Sequence, residues 1–233
     1  GGVLVAQVEN DSESFTAGLD KQNGANLWRV DRPKSANWTT ATVQKTGSGA
    51  EMLLLQSGRG IHAVNPKNGE VGWHYADGAS TIPSSALAGG VLYVPSHGLT
   101  ALELADDGRS FKQKWRSSRL RPDTASPLVH RDRVYSLNSA GVLTCGDTDS
   151  GKRLWQLRLD GPFGGSPVVA DNHLYVFNEE GMVQVVDLSA PEGRIAGEMD
   201  LGEMIQSSPA ISNGAIYVRS NQRIWKISRK TQL

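Results

Sequence analysis

The stretch CGDTDSGKRLW, residues 145–155, decides the fold because related copies of it occur along the chain. The segments GLDKQNGANLW (18–28) and AVNPKNGEVGW (63–73) align with it without gaps. All three have Asp or Asn at the third position, Gly at the seventh and Trp at the eleventh. Two longer relatives, ALELADDGRSFKQKW (101–115) and VVDLSAPEGRIAGEM (185–199), carry four extra residues. The five segments end at intervals of 45, 42, 40 and 44 residues, which is the signature of a repeat protein.

A second signature opens each repeat at the same interval. The segments SSAL (84–87), SPLV (126–129), SPVV (166–169) and SPAI (208–211) begin 42, 40 and 42 residues apart, and TTAT (39–42) holds the corresponding earlier place. Each is followed by a β-rich run such as GVLYVPS, a turn that contains Gly, and a third short run such as LTAL. The pattern predicts four short strands per repeat and no helix.

Four short strands in a period of 40–45 residues are typical of a β-propeller blade. The first unit (3–30) lacks its opening strand and the last (207–228) lacks its closing strand, while the four units between them are complete. Both end units contain the second and third strands, so they cannot form one blade together. The sequence, which does not start with Met, therefore predicts residues 1–233 to be a single propeller domain with its upstream part missing.

The repeated eleven residues predict a turn followed by an outer strand. Asp or Asn at the third position can accept a hydrogen bond from the backbone two residues on, and Gly supplies the positive φ that such a turn needs. Trp then buries a large area, with its indole N–H directed to a carbonyl group. We predict that these tryptophans dock each blade against the next: Trp28, Trp73, Trp115 and Trp155.

Composition excludes several classes of partner. The 24 Lys and Arg residues balance the 24 Asp and Glu residues, so the formal net charge of zero predicts no nucleic-acid partner. No apolar run approaches the roughly 18 residues that a transmembrane helix requires. The single cysteine cannot form an internal disulfide bond.

The segment 145–155 also has features of two ligand loops, and neither is complete. Its G-x-x-x-x-G-K spacing fits a phosphate loop, but Arg153 stands where Ser or Thr is needed and a strand follows instead of a helix. Asp147 and Asp149 suggest a calcium loop, but the bidentate Glu at position twelve is absent. We interpret these residues as a turn and Cys145 as a small buried side chain.

The five histidines form no H-x-H or H-x-x-x-H motif, which argues against a metal cluster. His62 aligns with Thr16, Thr100, Thr144 and Gln184, so it is interpreted as a repeated strand position.

On the two repeated signatures, the chain resembles the PQQ-like repeat family of β-propellers. In that family A-x-D-x-x-x-G-x-x-x-W closes each blade and S-P-x-h opens the next. The resemblance covers about residues 3–228 and implies part of a seven- or eight-bladed ring. It also implies a periplasmic, cell-envelope or secreted setting. The family includes quinone-dependent dehydrogenases, a propeller lipoprotein of the outer-membrane β-barrel assembly machinery, and binding propellers without a cofactor.

The leading hypothesis is a non-catalytic scaffold that binds a protein or peptide and needs no cofactor. A PQQ-dependent dehydrogenase would imply a calcium site of Glu, Asn and Asp, a Trp beneath the quinone and often a vicinal Cys pair. This chain has one Cys, and only Trp38 lies free of the repeat as a platform. The alternatives are such an enzyme with its catalytic residues outside this chain, and a carbohydrate-binding or sensor domain.

Partner binding is expected on the face that carries the connections between blades and the turns between second and third strands, here called the loop face. It comprises connections 29–38, 74–83, 116–125, 156–165 and 200–206, with turns near 57–60, 96–98, 138–141, 178–181 and 219–222. Arg and Trp are favoured in binding hot spots. The candidate contact residues are Arg32, Trp38, His97, Arg119, Arg121 and Phe163.

Overall fold

The repeats fold into antiparallel sheets in a computed structural model that describes residues 2–229. The described residues form 22 strands and contain no helix. They make six antiparallel sheets, and in each sheet the strands pair in chain order. The first and last sheets have three strands and the four between them have four, so each four-stranded sheet matches one predicted repeat. The chain divides into two compact units, Gly1–Arg116 and Ser117–Leu233.

The first unit holds three sheets. The first sheet comprises β1 (Val3–Val8), β2 (Phe15–Asp20) and β3 (Asn26–Asp31). The second comprises β4 (Thr42–Lys45), β5 (Glu51–Ser57), β6 (Gly60–Val64) and β7 (Val71–Tyr75). The third comprises β8 (Ala86–Ala88), β9 (Val91–Val94), β10 (Leu99–Leu104) and β11 (Phe111–Ser117).

The second unit repeats this plan. Its first sheet comprises β12 (Leu128–His130), β13 (Arg133–Leu137), β14 (Val142–Asp147) and β15 (Arg153–Arg158). The next comprises β16 (Val168–Ala170), β17 (His173–Phe177), β18 (Met182–Asp187) and β19 (Arg194–Asp200). The last comprises β20 (Ala210–Ser212), β21 (Ala215–Arg219) and β22 (Ile224–Ser228).

The hydrophobic cores lie between neighbouring sheets of a unit. In the first unit Leu54 and Trp73 of one sheet pack with Leu92 and Leu102 of the next. In the second unit the corresponding cluster joins β14 and β15 to β17 and β18. A single sheet with both faces apolar can be buried only between two others, and this explains why the pattern has to repeat.

The repeated turn has the predicted geometry. Asp20 Oδ1 accepts the amide of Gln22 at 2.8 Å, and Asn65 Oδ1 accepts the amide of Lys67 at 3.0 Å. Gly24 and Gly69 close the two turns at φ values of 73° and 76°. The prediction of an Asx turn closed by Gly is confirmed in these copies.

The tryptophans are held between two small residues. In the first sheet, a Cβ atom on Gly18 would lie 2.2 Å from Nε1 of Trp28, and one on Gly69 of the next sheet would lie 2.8 Å from Cε3. The indole of Trp28 donates to the carbonyl of Pro66 at 2.9 Å. Trp73 likewise donates to the carbonyl of Gly108 at 3.1 Å. Each of these tryptophans therefore docks on the turn of the following sheet.

The serine signature that opens each repeat joins the segments that precede the first strands of neighbouring sheets. The amide of Thr40 donates to Ser84 Oγ at 2.9 Å in the first unit. In the second unit the amide of Ser126 donates to Ser166 Oγ, and the amide of Ser166 to Ser208 Oγ, both at 2.9 Å. Because a hydroxyl of one repeat satisfies an amide of the repeat before it, the signature recurs once per repeat.

Replacing Gly193 with alanine should destabilise the second unit by about 1–3 kcal/mol through steric overlap. Its new Cβ atom would lie 2.5 Å from Cη2 of Trp155. Gly197→Ala on β19, the outer strand that follows this turn, is the control, because no atom lies within 4 Å of its new Cβ. Urea unfolding of the two variants checks this, and equal stabilities would contradict docking of Trp155 on this turn.

Candidate functional site

Within the first unit, neighbouring connections of the loop face bond to one another. The amide of Trp38 donates to the carbonyl of Thr81 at 2.8 Å. The amide of Ser80 donates in turn to the carbonyl of Pro95 at 2.7 Å. The connection after β3 therefore lies beside the connection after β7, which itself lies beside the end of β9.

Four of the six candidate contact residues are exposed. Trp38 is 69% exposed, which is far more than any tryptophan of the repeat. The imidazole of His97 is also exposed and lies 3.5 Å from the carboxylate of Asp77. Arg119 and Arg121 are exposed in the second unit.

The other two candidate residues, Arg32 and Phe163, are buried, so the expectation that they are exposed contacts of the loop face is wrong. Phe163 is 1% exposed and belongs to the core between the first two sheets of the second unit. The side chain of Arg32 is 2% exposed and pairs with Glu9, whose side chain is 1% exposed, at 2.8 Å. Their connections turn these two side chains inward, where packing and ion pairing outweigh exposure to solvent.

The buried ion pair is the centre of a network that braces the connection after β3. Glu9 accepts hydrogen bonds from Arg32 and Asn37. Arg32 Nη2 and Asn37 Nδ2 both donate to the carbonyl of Gln56 at 2.9 Å. The side chain of Gln56 continues the network by donating to the carbonyl of Ser80 at 2.6 Å. Trp38 follows Asn37 directly, so this exposed indole stands on a rigid connection.

A second exposed apolar side chain occurs on the adjoining connection. Ile82 is 46% exposed and follows Thr81, the residue that accepts the amide of Trp38. Aromatic and aliphatic side chains exposed on rigid loops are the usual anchors of protein interfaces.

A pocket of about 660 Å³ opens on the same unit, between its first two sheets. We call it the basic pocket. Its aliphatic wall includes Val30 and Leu55. Asp31 is its one acidic residue. Its basic side chains are Arg32, Lys34, Arg59, His62 and His74.

His62 and His74 both line the basic pocket. Their rings stack with centroids 3.9 Å apart and planes inclined by 16°. Nδ1 of His62 lies 3.3 Å from Nη1 of Arg32. The pKa of His62 is lowered to about 4 by burial and then by the charges of His74, Arg32 and Arg59. His62 is therefore neutral at pH 7.

From the sequence, His62 is interpreted as a repeated strand position, whereas His74 is assigned to the connection 74–83 and lies instead in β7. They are directly opposite one another in the pairing of β6 and β7. The repeat contains a signal for this pairing. In the second unit Thr144 and Gln156 face each other beside the pair Cys145–Trp155, as His62 and His74 do beside Ala63–Trp73. The pairing also corrects the alignment of His62 with Thr16, because Ala17 occupies the equivalent position opposite Arg29.

The segment 145–155 comprises the end of β14, a turn and the beginning of the outer strand β15. Asp147 Oδ1 accepts the amide of Ser150 at 2.7 Å, so this carboxylate is engaged within the turn. Cys145 is fully buried, and burial raises the pKa of its thiol to about 12. A thiol of that pKa stays protonated at neutral pH.

Two features of the described residues bear on a calcium-held quinone. No three His, Cys, Asp or Glu side chains in residues 2–229 are grouped to hold a metal ion. Trp28, Trp73 and Trp155 are buried in the docking positions of the repeat. None of these three is therefore available as a platform beneath a quinone.

Comparison with known proteins identifies relatives of one kind. The sequence model of the family described as outer membrane protein assembly factor BamB matches residues 1–88 and 99–196. The BamB of Yersinia pestis is 21% identical over 92% of this chain, which covers 59% of that protein. The BamB of Moranella endobia is 27% identical over 41% of this chain and 27% of its own length. The chain thus spans less than two thirds of each curated relative.

Solved structures agree on the fold. The crystal structure of BamB from Moraxella catarrhalis has a TM-score of 0.77 at 16% identity, covering all of this chain and 69% of its own. The computationally designed Ika8 protein has a TM-score of 0.67 at 11% identity, covering 97% of this chain and 69% of its own. The predicted β-propeller fold of PQQ-like repeats is confirmed, while the seven- or eight-bladed ring stays a prediction. Residues 2–229 contain no helix long and apolar enough to span a membrane.

Proposed function

Because this chain belongs to the family of the outer membrane protein assembly factor BamB, we propose that it is a non-catalytic module that binds a protein or peptide partner through its loop face. The setting we propose is the periplasm or another part of the cell envelope. We propose that it acts in the assembly of outer membrane proteins, which is the role that the names of its BamB relatives state for those proteins.

The observation that carries this proposal is the exposure of Trp38. A tryptophan that is 69% exposed loses much of the hydrophobic free energy that burial would supply. The connection that carries it is braced by the buried pair of Glu9 and Arg32, so little conformational entropy would be lost on binding. A large rigid aromatic side chain on such a connection suits the centre of an interface.

The proposed module acts without a cofactor. The tryptophans of the repeat serve its stability, and the thiol of Cys145 is buried. The exposed residues that remain on the loop face, among them Trp38, Arg119 and Arg121, are of the types that bind protein surfaces.

Replacing Trp38 and Arg119 together with alanine is expected to weaken partner binding at least about tenfold, because both residue types supply hot spots. Both side chains are exposed, so stability should change by no more than about 0.5 kcal/mol. The tagged full-length protein and its double variant are captured from envelope membranes after crosslinking, and co-purified proteins are quantified by mass spectrometry.

Lys67→Ala serves as the control for this capture, because Lys67 is exposed on a turn between the third and fourth strands, outside the loop face. The two single variants show which unit carries the contact. If the double variant retains its co-purified proteins at the level of the control, the loop face is the wrong surface.

A further inference from the structure

The basic pocket has an excess of positive charge that the described residues do not neutralise. Arg32 is compensated by Glu9 at 2.8 Å. Within residues 2–229, Lys34 and Arg59 have no ion-pair partner. The side chain of Asp31 is 91% exposed, and the cation that its carboxylate approaches, at 3.8 Å, is Arg29 outside the pocket.

The hydrogen-bonding state of His62 adds a directed donor to this charge. A guanidinium can only donate, so Nδ1 of His62 has to accept from Arg32. The neutral ring therefore carries its proton on Nε2. No acceptor for this N–H occurs in the described part of the chain, although the residue lines the pocket.

His74 holds the turn that carries Arg59. Its Nε2 lies 3.2 Å from the carbonyl of Arg59, and a carbonyl can only accept, so His74 donates here. The basic pocket thus presents the N–H of His62 and the charged heads of Arg59 and Lys34, with no paired acceptor among them. Such a set of donors matches an oxyanion.

We propose that the basic pocket binds a carboxylate carried by an acidic side chain of a peptide partner. The inference rests on the proposed partner-binding function and names the chemistry that the partner supplies. The aliphatic wall formed by Val30 and Leu55 favours a carboxylate on an apolar stem, as in glutamate, over a fully hydrated ion such as phosphate.

The pocket continues toward the exposed apolar residues of the loop face. A smaller cavity of about 170 Å³ shares Pro33, Lys34 and Arg59 with it and reaches Asn37 and Thr81. These last two residues directly precede Trp38 and Ile82. A short extended peptide can therefore place a carboxylate in the pocket and an apolar neighbour near the exposed indole.

Carboxylate binding should be linked to protonation of His62. Burial comes first and the surrounding cations second among the causes that lower its pKa to about 4. A bound carboxylate offsets those cations, so it raises the pKa of His62 and binding takes up protons. Affinity should then increase as pH falls from neutral. The charged and titratable groups that share the pocket with His62 are Asp31, Arg32, Lys34, Arg59 and His74, and Glu9 pairs with Arg32 behind them.

The test uses two blocked tripeptides, one with glutamate and one with glutamine between two leucines. The chain is titrated with each at about pH 7 and about pH 5.5 while the imidazole signals of His62 and His74 are followed by NMR. The glutamate peptide is expected to shift both signals and to bind at least about tenfold more tightly than the glutamine peptide. It should also bind more tightly at the lower pH, with a raised pKa for His62.

Two exposed residues provide the variants. Arg59→Gln and Lys34→Gln should each weaken the glutamate peptide at least about fivefold, whereas Lys67→Gln, on a turn outside the loop face, should leave it unchanged. Unaltered melting temperatures keep this comparison valid. Signals of His62 that do not respond, or that respond equally to both peptides, overturn the proposal.

Inorganic phosphate and acetate are titrated in parallel. A response to phosphate without one to the glutamate peptide rules out the carboxylate assignment. If the glutamate peptide does not bind but the Trp38 variant still loses its partner, only the carboxylate inference is wrong, and the proposed partner binding stands. If the glutamate peptide binds and the Trp38 variant keeps its partner, the carboxylate pocket is supported and the proposed loop-face contact at Trp38 is wrong.

Discussion

Replacing Trp155 with alanine is expected to lower the free energy of unfolding by about 3–5 kcal/mol, the range for large aromatic truncations in cores. Trp155 is 9% exposed and belongs to the core between the first two sheets of the second unit. Its ring is 6.0 Å from that of Tyr135, and it covers Gly193 on the following sheet. Its removal leaves a cavity between the two sheets that their backbones can close only in part.

Trp73 offers an independent copy of this experiment in the first unit. It is 8% exposed, its ring centroid lies 4.8 Å from that of Phe111, and its indole donates to the carbonyl of Gly108. We expect the same loss for Trp73→Ala, measured by urea unfolding followed by circular dichroism. Trp38→Ala is the matched control, because the same atoms are removed from an exposed position and the change should stay within about 0.5 kcal/mol. A loss below about 1 kcal/mol at Trp73 or Trp155 would contradict their docking role.

Breaking the buried pair of Glu9 and Arg32 should cost about 3–5 kcal/mol, because the remaining partner keeps an uncompensated charge in the interior. Both side chains are almost fully buried. Glu9→Gln leaves Arg32 without its carboxylate, and Arg32→Ala also removes the hydrogen bond that Arg32 donates to the carbonyl of Gln56. Since this network braces the connection that carries Trp38, both variants should also weaken partner binding.

The exposed ion pair of Glu13 and Arg29 provides the control for replacing a glutamate with glutamine. Glu13 pairs with Arg29 at 2.5 Å, and their side chains are 68% and 46% exposed. Glu13→Gln should therefore cost no more than about 1 kcal/mol. In the double variant of Glu9 and Arg32 the loss should be smaller than the sum of the single losses, because both members of one pair are removed. If Glu9→Gln and Glu13→Gln lower the free energy of unfolding equally, the buried pair of Glu9 and Arg32 contributes no more to stability than the exposed pair.

These two predictions separate roles that residue type alone does not distinguish. Arg32 and Arg119 both lie on connections of the loop face and were both expected to contact a partner. Only Arg119 is exposed, whereas Arg32 holds Glu9 in the interior. Variants at Arg32 therefore lose stability first, and variants at Arg119 should lose binding alone.

The sequence by itself determined the strands, the repeated turn and the docking tryptophans. These features depend on short stretches that recur at a fixed interval, so each copy supports the assignment of the others. The Asx turn at Asp20 and the buried position of Trp28 could be predicted because their partners lie in the same or the next repeat. A local pattern repeated in this way leaves few alternative folds.

Only the tertiary structure decided which residues of the loop face are available. The connections do not repeat, and exposure there depends on partners far along the chain. Glu9 and Arg32 are 23 residues apart in the sequence, and Arg32 donates to the carbonyl of Gln56, which lies 24 residues further along the chain. Cross-strand pairing likewise stacked His62 on His74 and assembled the basic pocket from three separate stretches of sequence. Burial and charge balance arise from such contacts, and the order of residues along a connection does not specify them.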